Sequence, residues 1–153
     1  MTFAAGIIPY TFFNGKVSFL LGLEKSNKKW SGFVGGSELG EVPQETALRE
    51  FHEETTLSFL QLNQYLVDSL NQILPVIEKT KTGKYAYLWF IRFPPEIDIS
   101  RFHVNQTMTN QRTLKEKSDI GWWNIEQICS GNVLFILKKT ILKLINTGVF
   151  PCS

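Results

Sequence analysis

The sequence predicts an α/β fold in which helices cover a sheet from two directions. Three observations carry that expectation. Strand-like runs come in pairs joined by turn residues. The run 84–93 is apolar on both of its faces. A helical pattern follows a glycine-rich loop, and a second one lies near the end of the chain.

Taken in order, "FAAGIIPY" (3–10) and "VSFLLGLE" (17–24) read as strands. Asn14-Gly15 between them is a hairpin signal, because both residues tolerate positive φ. A polar, basic loop (25–30) leads to "GFVGGSELGE" (32–41), where glycines let backbone approach a ligand closely. Pro43 then fits the first turn of a helix, where no amide hydrogen bond is lost. Gln44, Leu48, Phe51 and Thr55 form one stripe with Ala47 beside it, so Leu48 and Phe51 are expected to face the core and the glutamates to face away. A second helix is expected over 62–74.

Residues 75–80 and 84–93 read as a second hairpin with Gly83 in its turn. In 84–93, Tyr85, Tyr87, Trp89, Ile91 and Phe93 point one way, and Ala86, Leu88 and Phe90 the other. A strand apolar on both faces is buried on both. Residues 94–114 are loop-rich, and "GWWNI" (121–125) is a short apolar patch. The run 132–148 is amphipathic: Leu134, Leu137, Ile141, Leu144 and Ile145 face inward, Lys138, Lys139, Lys143 and Asn146 outward, and Gly148 is the stop.

The 153 residues suit a single domain, 1–153. At 43% hydrophobic and 20% charged, the composition is that of an ordinary globular chain rather than a disordered one. A net charge of +2 without a dense basic run argues against a nucleic-acid partner, yet does not oppose an anionic small molecule. Cys129 and Cys152 lack the spacing of a metal pair and read as reduced thiols of a cytoplasmic protein. No apolar run approaches ~18 residues, so no membrane span is expected. The apolar N-terminus lacks a basic n-region and reads as a strand rather than a signal peptide.

The chemistry concentrates in "REFHEE" (49–54). On a helix Glu50, Glu53 and Glu54 lie at i, i+3 and i+4, and like charges so placed cost about 0.2–0.5 kcal/mol per pair. A hard divalent cation taking carboxylate oxygens would offset that repulsion. Arg49 can pair with Glu45 or Glu53, at i−4 and i+4. Glu41 precedes the helix, where the helix dipole favours negative charge.

The spacing is more specific than the cluster. Gly35, Glu41, Arg49, Glu50, Phe51, Glu53, Glu54 and Leu57 fall on the pattern G-x5-E-x7-R-E-U-x-E-E-x-G-U, U being a bulky apolar residue. The segment 35–57 therefore resembles the Nudix box of the Nudix hydrolases, and Glu38 and Gly40 fit the common end of its glycine loop. One position departs: Thr56 stands in place of the last glycine. A β-branched residue at positive φ is strained, which predicts a changed helix exit, such as a longer helix.

The resemblance implies a Nudix-like α/β/α sandwich with a mixed central sheet. It also implies hydrolysis of a nucleoside diphosphate linked to another group, by water attack on phosphorus with Mg²⁺ or Mn²⁺. Carried over by residue, Glu50, Glu53 and Glu54 are metal ligands, one of them also a candidate base, and Arg49 orients them. Glu41 is an outer ligand or structural partner, and the Gly35 or Val34 carbonyl completes the shell. Glu116, before Trp122, looks like the extra loop glutamate of enzymes acting on dinucleoside polyphosphates, with Asp119 as its competitor.

His52 reads as a surface or packing residue and His103 as a loop residue. Lys25, Lys28, Lys29, Lys115 and Lys117 read as surface lysines, with phosphate binding as the alternative. Trp122 and Trp123 adjoin the loop, one of them expected in the core. Two other functions stay open: an RNA-cap hydrolase, and a catalytically silent nucleotide-binding module. The leaving group, ion number and oligomeric state are not readable from these residues.

Overall fold

The computed structural model describes residues 2–55, 59–94 and 117–150. β1 (Ala4–Phe13) and β2 (Lys16–Glu24) form the first hairpin. Its turn is Asn14 at φ 52° and Gly15 at φ 78°, the left-handed pair that matches strand twist. The two strands pair only near the turn, Tyr10–Phe13 against Lys16–Phe19, and then part. The glycine-rich segment fills the gap: β3 (Trp30–Ser31) pairs with β2, and β4 (Phe33–Gly36) with β1, both antiparallel. Part of what reads as a loop is therefore strand.

β5 (Val76–Lys79) and β6 (Tyr85–Arg92) form the second hairpin, with Gly83 at φ 84°. β6 lies parallel to β1, which makes the sheet mixed. β7 (Lys117–Asn124) adds to the other edge of β2, antiparallel. "GWWNI" is thus largely the end of a strand. Among the described residues the sheet has seven strands.

The side chains of β6 divide as strand alternation requires. Trp89, Ile91 and Phe93 join Ile7, Leu20 and Phe33 on one face, beneath α1 (Pro43–Glu54) and α2 (Asn63–Gln72). Leu88 and Phe90 join Ile8, Phe19 and Leu21 on the other, beneath α3 (Ile125–Ser130) and α4 (Phe135–Asn146). Trp122 packs at the first face and Trp123 at the second, so each tryptophan flanks a core and both stay part-exposed. α3 escapes sequence reading because six residues are too short to show a period. α4 ends in paired bonds from Gly148 to Ile145 and from Val149 to Leu144, with Gly148 at φ 76°.

α1 sits where the site needs it. Pro43 opens it, and the Glu45 carboxylate accepts the Val42 N–H at 3.0 Å. Glu45 therefore caps the helix instead of pairing with Arg49. Phe51 anchors the underside, stacked on Phe59 at 5.7 Å and edge-on to Phe33 at 5.4 Å. α1 ends at Glu54, and at its C-cap the Thr55 hydroxyl and amide both donate to the Phe51 carbonyl, at 2.6 and 3.0 Å. Thr56 and Leu57 of the motif, like Glu116, Lys115, His103 and Cys152, lie outside the described residues.

Candidate functional site

Glu50 and Glu54 do not face away from the protein. They are 7% and 3% exposed, turned toward β4 and β7, while Glu53 stays half-buried. An amphipathic helix normally keeps carboxylates in water, because burying an unpaired charge is costly. Two features make this burial tolerable. The first is Gly35. A Cβ there would stand 2.2 Å from Glu50 Cδ, so only glycine leaves room for the carboxyl group above β4. The close approach read from the glycines is, at this position, an approach to a protein carboxylate.

The second feature is paired cations. Arg49 Nε and Nη2 donate to the two Glu41 oxygens at 2.7 and 3.0 Å, a fork-on-fork pair. Nη2 also donates to the Gly36 carbonyl at 2.9 Å, and Nη1 to Glu50 at 2.9 Å and Glu53 at 3.2 Å. Arg49 thereby ties the glycine segment to the helix and fixes two of its glutamates. Glu41 also accepts from the Thr46 hydroxyl (2.7 Å) and the Glu38 amide (2.8 Å). The Arg49 guanidinium is the main cause that holds the Glu41 carboxyl far below its ordinary 4.5, at about 2. Their hydrogen bond in turn raises the Arg49 pKa. Glu41 is thus a structural partner of Arg49.

The other cation is Lys117, read from sequence as a surface lysine. It is 2% exposed. Its Nζ donates to Ser31 Oγ at 2.6 Å and the Gly32 carbonyl at 3.1 Å, and lies 3.6 Å from Glu54 and 3.8 Å from Glu24. Glu24 and Ser31 escape sequence reading because they come from β2 and β3, remote from the motif, and Lys117, read only as a surface or phosphate-binding lysine, comes from β7. The spacing of the motif contains no signal for them.

Glu24, Ser26, Val34, Gly35, Gly36, Glu50, Glu54 and Lys117 line one cleft of about 380 Å³. Its donors are carboxylate and carbonyl oxygens, the set that suits Mg²⁺ or Mn²⁺ over softer ions. Among the described residues no three acidic, histidine or cysteine side chains close on one point at ion spacing. Glu50 and Glu53 turn to Arg49, and Glu54 lies beside Lys117. Asp119 lies in β7 opposite Leu23 and does not line this cleft. His52 is a packing residue, its Nε2 2.9 Å from Asn63 Oδ1.

The sequence profile of the NUDIX domain matches residues 2–139. The chain belongs to the Nudix family. Its α/β/α sandwich is the Nudix fold. The structure is similar to the Ap4A hydrolase of C. elegans in a binary complex, with TM-score 0.61 and 16% identity over 95% of this chain and 98% of that one. A mutT/nudix family protein from Listeria innocua gives TM-score 0.60 and 15% identity, covering 97% and 92%. The NUDIX domain of Shewanella oneidensis NrtR, complexed with ADP ribose, gives TM-score 0.59 and 14% identity, covering 95% and 86%. In sequence, the uncharacterized protein L534 of Acanthamoeba polyphaga mimivirus is 40% identical over 73 residues, 43% of this chain and 23% of that protein. The match therefore spans about a quarter of that relative's length. No helix among the described residues is long and apolar enough to cross a membrane.

Proposed function

We propose that this Nudix protein hydrolyses a pyrophosphate bond of a nucleoside diphosphate linked to another group, in a single domain spanning 1–153. The substrate is a nucleoside triphosphate or a dinucleoside polyphosphate. The observation that carries the reading is the arrangement of α1: Arg49 sets Glu50 and Glu53, while Glu50, Glu54 and the Gly35–Gly36 backbone line one oxygen-rich cleft. The likeness to an Ap4A hydrolase supports the dinucleoside class. The free, exposed thiol of Cys129 fits a cytoplasmic setting.

Glu50, Glu53 and Glu54 would hold Mg²⁺ or Mn²⁺, with the Gly35 carbonyl and Glu116 completing the set. Bound there, the ion neutralises phosphate charge and acidifies the attacking water. The chain's own residues do the rest. Arg49 keeps Glu50 and Glu53 in place before substrate arrives, so little reorganisation is spent during reaction. A carboxylate of this set takes the proton as water attacks phosphorus, the bridging P–O bond breaks, and the leaving phosphate keeps the bridging oxygen.

A second reading, a nucleotide-binding module without turnover, draws on the absence of a closed three-ligand ion site among the described residues. One experiment separates the two. A panel of nucleoside triphosphates, dinucleoside polyphosphates and ADP-ribose is incubated with Mg²⁺, and nucleoside monophosphate release is followed. Wild type should turn over at least one of them, and Glu53→Gln should lose about 10²-fold or more in kcat. Tight binding without turnover under Mg²⁺ or Mn²⁺ selects the second reading. Equal turnover by both proteins removes the carboxylates from the chemistry.

A further inference from the structure

We infer that Lys117 is a positioning residue: a resident ammonium that balances Glu54 inside the cleft and limits how much divalent charge the cleft accepts. The inference rests on the reading of Glu50, Glu53 and Glu54 as ion-holding groups.

Three separate provisions bring Lys117 there. The first is a bulge. Leu23 pairs with Asp119 but Glu24 pairs with Lys117, so Ser118 is the extra residue. Simple alternation would put Lys117 on the face of Asp119. One extra residue turns it to the face of Ile120, beneath α1. The second is Gly22, where a Cβ would meet Lys117 Cδ at 2.8 Å, so the lysine stem crosses β2 only because that position has no side chain. The third is the seat. Ser31 Oγ and the Gly32 carbonyl, both neutral, take Nζ at 2.6 and 3.1 Å, and this fixes the ammonium 3.6 Å from Glu54. A surface lysine requires none of these.

The electrostatic consequence is direct. A positive charge on a side chain only 2% exposed both satisfies Glu54, itself 3% exposed, and repels an incoming dication, and the burial of the pair weakens the screening of either effect. Glu54 can then give only part of its charge to an ion, and the cleft binds less divalent charge than its carboxylates alone would.

The test uses Mn²⁺ without nucleotide, followed by titration calorimetry and by electron paramagnetic resonance counting of bound ions. Lys117→Met should bind Mn²⁺ about tenfold more tightly, or take one further ion per chain. In a Glu54→Gln background, adding Lys117→Met should again tighten Mn²⁺ binding about tenfold relative to Glu54→Gln alone, because the ammonium is removed in either background. A Lys117→Met protein with the wild-type isotherm overturns the inference. So does a double variant that binds Mn²⁺ no more tightly than Glu54→Gln alone. If Lys117→Met does not fold without metal, the double variant carries the test, since it replaces the buried pair rather than breaking it. Failure of wild type to hydrolyse any nucleotide would count against the hydrolase reading and leave these isotherms unchanged.

Discussion

Arg49 and Lys117 bring positive charge to the same acidic helix by different routes. Arg49 stands on α1 beside the glutamates it holds and, across the cleft rim, grips Glu41 and the Gly36 carbonyl. Lys117 arrives from β7 and reaches Glu54 only through a bulge, a glycine and a hydroxyl seat. Arg49 remains one-fifth exposed, and Lys117 is almost fully enclosed. A forked guanidinium can bind several carboxylates at once and orient them. A buried ammonium acts as a point charge whose effect depends on where it is seated. The comparison separates two tasks, orienting the carboxylates and setting their charge balance.

The largest break in that comparison comes from Arg49→Lys. The charge stays, but the fork that joins Glu41, Gly36, Glu50 and Glu53 is lost. Misplacing reacting groups by about 1 Å costs about 10²-fold. Turnover on the best nucleotide should therefore fall by about that factor, with Mn²⁺ affinity falling less. If charge alone mattered, kcat would be unchanged.

Gly22→Ala sharpens the other side. The methyl group must displace the Lys117 stem, at an overpacking cost of about 1–3 kcal/mol in denaturant unfolding. Mn²⁺ affinity should move in the same direction as in Lys117→Met, by about threefold. Movement in the opposite direction would detach Gly22 from the lysine seat.

The smallest effect is a pH dependence. The Glu41 carboxyl titrates at about 2 in the fold against an ordinary 4.5. A folded-state pKa below the unfolded one stabilises above the unfolded value and loses that contribution as pH falls through the folded value. Wild type should exceed Glu41→Gln in melting temperature fully at pH 7. The gap should narrow below about 4.5 and close near 2. A gap independent of pH would place the stabilisation elsewhere.

Sequence pattern reveals the layers of this molecule because the layers rest on short-range periods. The two-residue alternation of Tyr85–Phe93 assigns each side chain to its face, and Asn14-Gly15 places the first hairpin. The motif spacing picks out Arg49 with Glu50 and Glu53, which the structure joins within one residue and one helical turn. The burial of Glu50 and Glu54 is not legible in the same way. Helical periodicity assigns carboxylates to water, and what reverses this is a missing Cβ at Gly35 and a lysine from another strand. β7 resists reading because the extra residue at Ser118 breaks its alternation, and that same irregularity aims Lys117. The pairing of Glu24 with Lys117 follows from sheet register, which no local pattern in either strand encodes.

The most direct test of the account is a crystal of the wild-type protein soaked in millimolar Mn²⁺ and measured at the manganese absorption edge. The account predicts an anomalous peak in the cleft, with Glu50 and Glu53 oxygens about 2.0–2.3 Å from it and Lys117 Nζ still on Ser31. A cleft that shows no peak, or a peak bound away from α1, would contradict it.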